Sequence, residues 1–100
     1  MKYFCILAAD KPNHGDVRAA NRQAHLDYLK RQDHPVTVLS AGPTVEGPAE
    51  TMTGSLLLVA ADSQADVEAF LAADPYGRAG LFQSVIIRQW KWTIGRPDGA

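Results

Sequence analysis

The chain opens with Lys2-Tyr3-Phe4-Cys5-Ile6-Leu7-Ala8-Ala9, a run of aromatic and branched residues that predicts a β-strand. Both alternating sets of side chains in this run are apolar, although successive side chains of a strand point to opposite faces of a sheet. We therefore expect the strand to be covered on both faces. The breakers Asp10, Pro12, Asn13 and Gly15 end it.

A helix is predicted next, from Asp16 as N-cap to about Gln32, because this stretch lacks Gly and Pro. It should end before His34, since the residue that precedes a proline disfavours helical backbone angles. Two sets of residues recur at helical spacing: Val17, Ala20, Ala24 and Tyr28, and Arg22, His25 and Leu29.

Two strands follow this helix. The β-branched residues of Val36–Ser40 predict the second strand, and Ala41-Gly42-Pro43 predicts a turn at its end. We expect a loop of about ten residues from Thr44 to Thr53. The third strand then opens with Thr53-Gly54-Ser55 and continues through Leu56-Leu57-Leu58-Val59.

The second half of the chain repeats the pattern of a helix and a strand. Ser63 and Asp66 resemble a capping box, which predicts a second helix with Val67, Phe70 and Leu71 on its inner face. Asp74-Pro75 should end this helix, with Asp74 as N-cap of a further short turn that runs to about Gly80. Leu81–Trp92 is the predicted fourth strand, and Gly95–Ala100 the predicted loose tail.

The order βαββαβ predicts an α+β fold, a ferredoxin-like sandwich of one antiparallel sheet with two helices on one face. We expect a single domain over residues 1–95 and a C-terminal tail over 96–100. Both faces of the first and fourth strands are apolar, so the face without helices should pack against an identical sheet in a homodimer.

Composition narrows the possible partners and the compartment. The 100 residues carry a formal net charge of −1, which provides no field to attract nucleic acid or an anionic membrane. The longest apolar runs, such as Leu56–Ala61, are far shorter than a membrane span, and the start lacks a signal-peptide pattern. The single Cys5 favours a reducing compartment, so we expect a cytoplasmic protein.

Taken singly, most residues that could carry chemistry have a structural explanation. His14 and His34 fall in predicted loops, where we expect solvated side chains, and His25 lies within the first helix. Ser55 is explained as a small polar residue at a strand start, and Asp74 as a helix cap. Spacings typical of metal ligands, phosphate loops or a nucleophile elbow do not occur, so no metal or cofactor is predicted.

Taken together, four short motifs are more informative than any one of these residues alone. The chain contains RxxHL at Arg22–Leu26, AGP at Ala41–Pro43, TGS at Thr53–Ser55 and DPY at Asp74–Tyr76, in this order. This combination resembles the YciI-like (YCII-related) family from Tyr3 to about Trp92. The resemblance implies a dimeric α+β barrel, in agreement with the homodimer inferred from the sheet. The family usually has a Pro before the aromatic residue of the last strand, whereas Gln89 precedes Trp90 here.

The resemblance also implies a pocket for a small-molecule ligand in each subunit. Its reactive centre would be His25 with Asp74, and Ser55 would line it. The candidate binding residues drawn from the motifs are Arg22, Gly42, Pro43, Ser55 and Tyr76. Arg22 could instead form a surface ion pair with Asp16 or Asp27. We expect the imidazole and the carboxylate to meet in a cleft that two associated copies complete.

A His-Asp pair can move protons near neutral pH, because the carboxylate fixes the orientation and tautomer of the ring. The predicted function is cofactor-independent acid/base chemistry of the lyase, isomerase or dehydrochlorinase type on a small organic molecule. The alternatives are a non-catalytic ligand-binding protein, a protein whose His25 accepts a phosphoryl group, and a structural or regulatory partner. An RNA-binding module is disfavoured, because the third strand lacks stacking aromatic side chains.

Overall fold

The computed structural model describes residues 1–96, which form a four-stranded antiparallel sheet with helices on one face. The strands lie in the order β2-β3-β1-β4, which is the ferredoxin-like α+β arrangement predicted from the element order. The elements are β1 (Lys2–Asp10), α1 (Gly15–Lys30), β2 (Thr37–Glu46), β3 (Thr51–Ala61), α2 (Gln64–Ala73), α3 (Pro75–Arg78) and β4 (Phe82–Trp90).

Most of the predicted tail, residues 97–100, lies outside the described residues. No helix within residues 1–96 has the length and apolar character needed to span a membrane.

The core lies between the sheet and the helices. β1 is central and pairs with both β3 and β4, so Phe4 and Ile6 are fully buried beneath the helices. Burial of each such side chain stabilises the fold by about 1.5–3 kcal/mol relative to exposure. Their main partners from the neighbouring elements are Leu29, Leu57, Val59, Val67, Phe70 and Leu71.

The ends of the first helix differ from the prediction. His14, not Asp16, occupies the N-cap position, and α1 begins at Gly15 with Asp16 in its first turn. An acidic side chain there still interacts favourably with the positive end of the helix dipole. The helix ends at Lys30 because Arg31 adopts an extended conformation. The prediction for α2 is confirmed, since the Ser63 hydroxyl accepts the Asp66 N–H at 3.2 Å.

The structure corrects the prediction for residues 41–53. Ala41-Gly42-Pro43 is not a turn but the middle of β2, and Pro43 pairs with Ser55 of β3. Proline is tolerated because β2 is an edge strand, where an N–H that points to solvent is not needed. The expected loop is instead a hairpin, with a tight turn between Glu46 and Thr51 and positive φ angles at Gly47 and Glu50.

The sheet face opposite the helices is apolar. We call it the open face; its apolar residues are Tyr3, Cys5, Leu7, Leu56, Leu58, Ile86 and Trp90, which the strand register places on one side together with the exposed Arg88. Leu7, Leu56 and Ile86 are 46%, 47% and 44% exposed. A contiguous patch of this kind is typical of an interaction surface.

Two glycines permit close backbone approaches. A Cβ atom at Gly54 would lie 2.1 Å from the carbonyl oxygen of Ala8, and one at Gly77 would lie 2.2 Å from that of Leu71. The backbone of β3 next to β1, and that of α3 next to α2, therefore leave no room for a side chain at these positions.

We expect Gly54→Ala to lower the free energy of unfolding by about 1–3 kcal/mol, because the strands must separate to admit the methyl group. Urea denaturation followed by circular dichroism measures the change. Gly15→Ala is the matched control, because its Cβ would have no heavy atom within 4 Å. Equal unfolding midpoints for the two variants would contradict the steric explanation.

Candidate active site

His25 and Asp74 form a buried pair within one chain. Nδ1 of His25 lies 2.8 Å from Oδ1 and 2.9 Å from Oδ2 of Asp74, and the carboxylate residue is 1% exposed. A carboxylate only accepts hydrogen bonds, so Nδ1 carries the proton and donates it to Asp74. Both this contact and the cavity beside it are formed by a single chain, through α1 and the α2–α3 junction, so the expectation that the cleft exists only once two copies associate is wrong.

Asp74 also has a structural role, which fixes its side chain. It ends α2 and caps α3, where its Oδ1 accepts the backbone N–H of Tyr76 at 2.9 Å. Pro75 is the first residue of α3, a position that needs no N–H donor. The helix-cap explanation of Asp74 and its role as a partner of His25 are therefore both correct, and the cap orients the carboxylate toward the ring.

Tyr76 packs directly on the imidazole. Its ring stacks on His25 with a centroid separation of 3.9 Å and an interplanar angle of 15°. Burial raises the pKa of the Tyr76 phenol above its ordinary value, although the nearby cations Arg18 and Arg22 act in the opposite direction. The phenol is therefore protonated at neutral pH.

Arg18 is a buried member of the site that the sequence did not reveal. Its Nε and Nη2 atoms donate to Asp10 at 2.7 and 3.0 Å, and Nη2 also donates to Ser55 Oγ at 2.9 Å. The guanidinium carbon lies 4.7 Å from the centroid of the Tyr76 ring. Burial acts to lower the pKa of Arg18, but hydrogen bonding to Asp10 and its charge raise it above the ordinary value.

Two local features place the Arg18–Asp10 pair. Arg18 lies two helical turns before His25 and so shares its sheet-facing side of α1. Asp10 is the last residue of β1, where a register shift after Ala9 breaks the regular pairing with β4. Such an irregularity redirects a side chain at the end of a strand. In the sequence, the spacing of two helical turns between Arg18 and His25 is the feature that could have identified Arg18 as a site residue.

A cavity of 180 Å³ adjoins the pair. Most of the predicted site residues line it: Arg22, His25, Gly42, Pro43, Ser55 and Tyr76. Asp74 is not part of the wall and lies behind His25. An engineered apolar cavity of roughly 150 Å³ holds benzene, so this volume suits a molecule with a single ring.

The cavity has an excess of positive charge. Arg18 is neutralised by Asp10, and Asp74 is engaged by His25. Arg22 forms no ion pair with any residue in the described range, and Asp27 instead accepts a hydrogen bond from Gln23 at 2.9 Å. The surface pair with Asp16 or Asp27 is therefore not formed, and the Arg22 guanidinium is available to an acidic ligand.

The other two histidines lie outside this site. His14 contacts the carbonyl oxygen of Pro12 at 2.8 Å. His34 is not solvated as predicted, because its ring packs against Tyr28 and Phe70 and both ring nitrogens are buried without a hydrogen-bond partner among residues 1–96. Within the same range, no three His, Cys, Asp or Glu side chains converge as a metal site requires.

Comparison with known proteins places the chain in a family. Residues 1–91 match the YCII-related domain. An uncharacterized protein of Haemophilus influenzae (strain Rd) is 34% identical over 94 residues, which cover 89% of this chain and 96% of that protein. Protein YciI of Escherichia coli O6:H1 is 30% identical over 93 residues, or 88% and 95% of the two chains. The chain belongs to the YCII-related family.

Solved structures agree with this assignment. A complex of 5-chloro-2-hydroxyhydroquinone dehydrochlorinase (TftG) from Burkholderia phenoliruptrix AC1100 with 2,5-dihydroxybenzoquinone superposes with a TM-score of 0.79 at 35% identity. The match covers 89% of this chain and 93% of the dehydrochlorinase. A NIPSNAP domain protein from Burkholderia xenovorans shares the fold at a TM-score of 0.57 and 14% identity, covering 98% of this chain and all of that one.

We expect the His25 ring to be protonated on Nδ1, with Nε2 unprotonated when the ring is neutral, because Asp74 accepts from Nδ1. Long-range ¹H–¹⁵N spectra of the imidazole measure this directly. In Asp74→Asn, where the amide can donate to Nδ1, the populations should shift toward the Nε2–H tautomer. A wild-type ring protonated on Nε2 alone would contradict the geometry.

Proposed function

We propose that the protein is a cofactor-independent acid/base enzyme of the lyase, isomerase or dehydrochlorinase type, acting on a small acidic organic molecule. The observation that supports this most directly is the state of His25. Both Asp74 oxygens lie within hydrogen-bond distance of Nδ1, whereas Nε2 has no hydrogen-bond partner in the described part of the chain. A ring held in this way and exposed to a cavity can act as a general base.

In the proposed reaction, Nε2 of His25 takes a proton from the bound substrate, and the negative charge of Asp74 stabilises the imidazolium. In an elimination, the electron pair of the broken bond forms a new π bond while a leaving group such as chloride departs with its own bonding pair. The imidazolium then releases its proton to solvent. In an isomerisation, the same imidazolium returns the proton to another atom of the substrate.

Negative charge that develops on a substrate oxygen must be stabilised by hydrogen-bond donors, and Ser55 and Arg22 can supply them. Nη2 of Arg18 can only donate, so Ser55 Oγ accepts that bond and its own hydrogen remains available to the substrate. Arg22, at the rim of the cavity, offers a full positive charge. Preorganised donors of this kind typically change kcat by about 10²–10³ each. Gly42 and Pro43 form the facing wall.

The similarity to the dehydrochlorinase supports the proposed substrate class. That protein is 35% identical and was crystallised with 2,5-dihydroxybenzoquinone, a single ring that carries acidic hydroxyl groups. A molecule of this size and charge agrees with the 180 Å³ cavity and with the unpaired Arg22 guanidinium.

The proposal includes a homodimer formed through the open face. Two copies packed face to face would bury Leu7, Leu56 and Ile86, whose exposure is otherwise unfavourable. His25 lies on α1, and Ser55, which pairs with the buried Ala8, is on the helix side of the sheet, so an interface on the open face does not cover them. A second copy is favoured as partner, since a closed two-fold assembly covers the same apolar patch on both chains.

Chloride release from 5-chloro-2-hydroxyhydroquinone tests the catalytic proposal. We expect His25→Gln to lower kcat by about 10²–10⁴-fold, because the general base is lost. We expect Asp74→Asn to lower kcat by at least about 10²-fold, because asparagine can still cap α3 but favours the wrong tautomer. Gln23→Ala, on the exposed side of α1, is the control and should retain wild-type turnover.

Three outcomes would contradict this function. Unchanged turnover in His25→Gln would remove the dyad from the reaction. Binding of 2,5-dihydroxybenzoquinone without turnover of any chlorinated or isomerisable analogue would reduce the site to ligand binding. An acid-labile increase in mass after incubation with acetyl phosphate, absent in His25→Ala, would assign the ring to phosphoryl acceptance.

Sedimentation equilibrium tests the dimer. We expect the wild type to sediment as a dimer at micromolar concentration, and Leu56→Glu to sediment as a monomer because two charges would be buried in the interface. Ala24→Glu, on the exposed side of α1, should remain dimeric. A monomeric wild type would contradict the proposed interface.

A further inference from the structure

A second, larger cavity adjoins the site and has no role in the function proposed above. It measures about 750 Å³ and lies between the last turns of α1 and the first half of β2. Leu26, Leu29 and Ala41 line both this groove and the 180 Å³ cavity beside His25. The two spaces therefore share a wall, and the groove leads away from the dyad.

Apart from the buried ring of His34, the deep part of the groove is apolar, and its rim is polar. Leu29, Val36 and Val38 line it, and Val36 is fully buried while Val38 is half-buried. The rim carries Lys30 and Gln32, which are exposed. Such a groove suits an apolar group that lies against the protein on one side and borders water on the other.

The position of the groove decides between possible occupants. Val38 pairs with the buried Val59, so this wall is on the helix side of the sheet. A second copy packed on the open face would adjoin only the Ser40 end of the groove, because Ser40 pairs with Leu58, and would leave the Val36 and Val38 wall free. The groove borders the cavity beside His25 along Leu26, Leu29 and Ala41, which favours a part of the same bound molecule over a separate partner.

We propose that the natural substrate carries an apolar substituent, an alkyl chain or a second ring, that lies in this groove while its acidic head occupies the cavity beside His25. This inference rests on the proposed function, because it takes that cavity as the substrate site. It extends the substrate class from a single ring to a ring with an apolar arm. Remote contacts of this kind supply binding energy that orients the reacting part.

Calorimetric titration with two probes tests this inference. The probes are 2,5-dihydroxybenzoquinone and its 3-hexyl derivative, which share the same acidic head. Burial of each methylene lowers Kd by up to about fourfold, and by less where one side stays in water. For the wild type we expect the hexyl probe to bind at least tenfold more tightly than the parent.

Variants of the groove residues show where the hexyl chain gains its affinity. The readout is the ratio of the two Kd values within each protein, so a change in head-group affinity cancels. Leu39 also lines the groove. We expect Leu39→Gln, which makes the groove wall polar, and Val38→Phe, which narrows it, to reduce the ratio toward one. Val85→Gln is the control, because Val85 lies on the opposite edge strand and should keep the wild-type ratio.

The outcomes separate this inference from the proposed function. If the parent binds in a manner that depends on His25 but the hexyl chain adds nothing, only the role of the groove is overturned. An equal gain in wild type, Leu39→Gln and Val38→Phe would place the chain elsewhere and overturn it also. If neither probe binds, both the proposed function and the groove's role fail.

Discussion

Asp74 ends α2, and its carboxylate both caps α3 and orients the imidazole of His25. Its Oδ1 accepts both the Tyr76 N–H and the His25 Nδ1–H, at 2.9 and 2.8 Å. An uncompensated buried charge is very costly, so these donors are needed for Asp74 to remain in the interior. The same contacts place Tyr76 against the ring. The geometry of the candidate site is therefore a by-product of how α2 ends and α3 begins.

Much of the fold was predictable because its signals are local. The runs of apolar residues marked the strands, and the side chains of Ser63 and Asp74 marked helix starts that the structure confirms. The path of β2 through Pro43 was not predictable, since a proline is compatible with a strand only at a sheet edge. Which strand lies at the edge depends on pairing between distant segments.

In the candidate site, too, some features could be predicted from local sequence and others depend on tertiary contacts. His25 and Asp74 come from motifs that can be recognised in the sequence, although their separation cannot be read there. Arg18 was missed because its burial depends on Asp10 from β1 and Ser55 from β3. A buried arginine is exceptional without such partners, and only the assembled sheet brings them within reach. The polar sheet-facing side of α1 is thus explained by tertiary contacts rather than by helix periodicity.

The close approach of the Gly54 backbone to Ala8, and of Gly77 to Leu71, has a consequence for comparing relatives. These two glycines are required by packing whether or not the protein is an enzyme. A relative that lacks the proposed activity but keeps the architecture should retain both, while position 22, whose exposed side chain forms no ion pair within residues 1–96, would be free to drift. Gly54 and Gly77 are thus markers of ancestry, and Arg22 at the rim of the cavity is the better guide to which family members share the proposed activity.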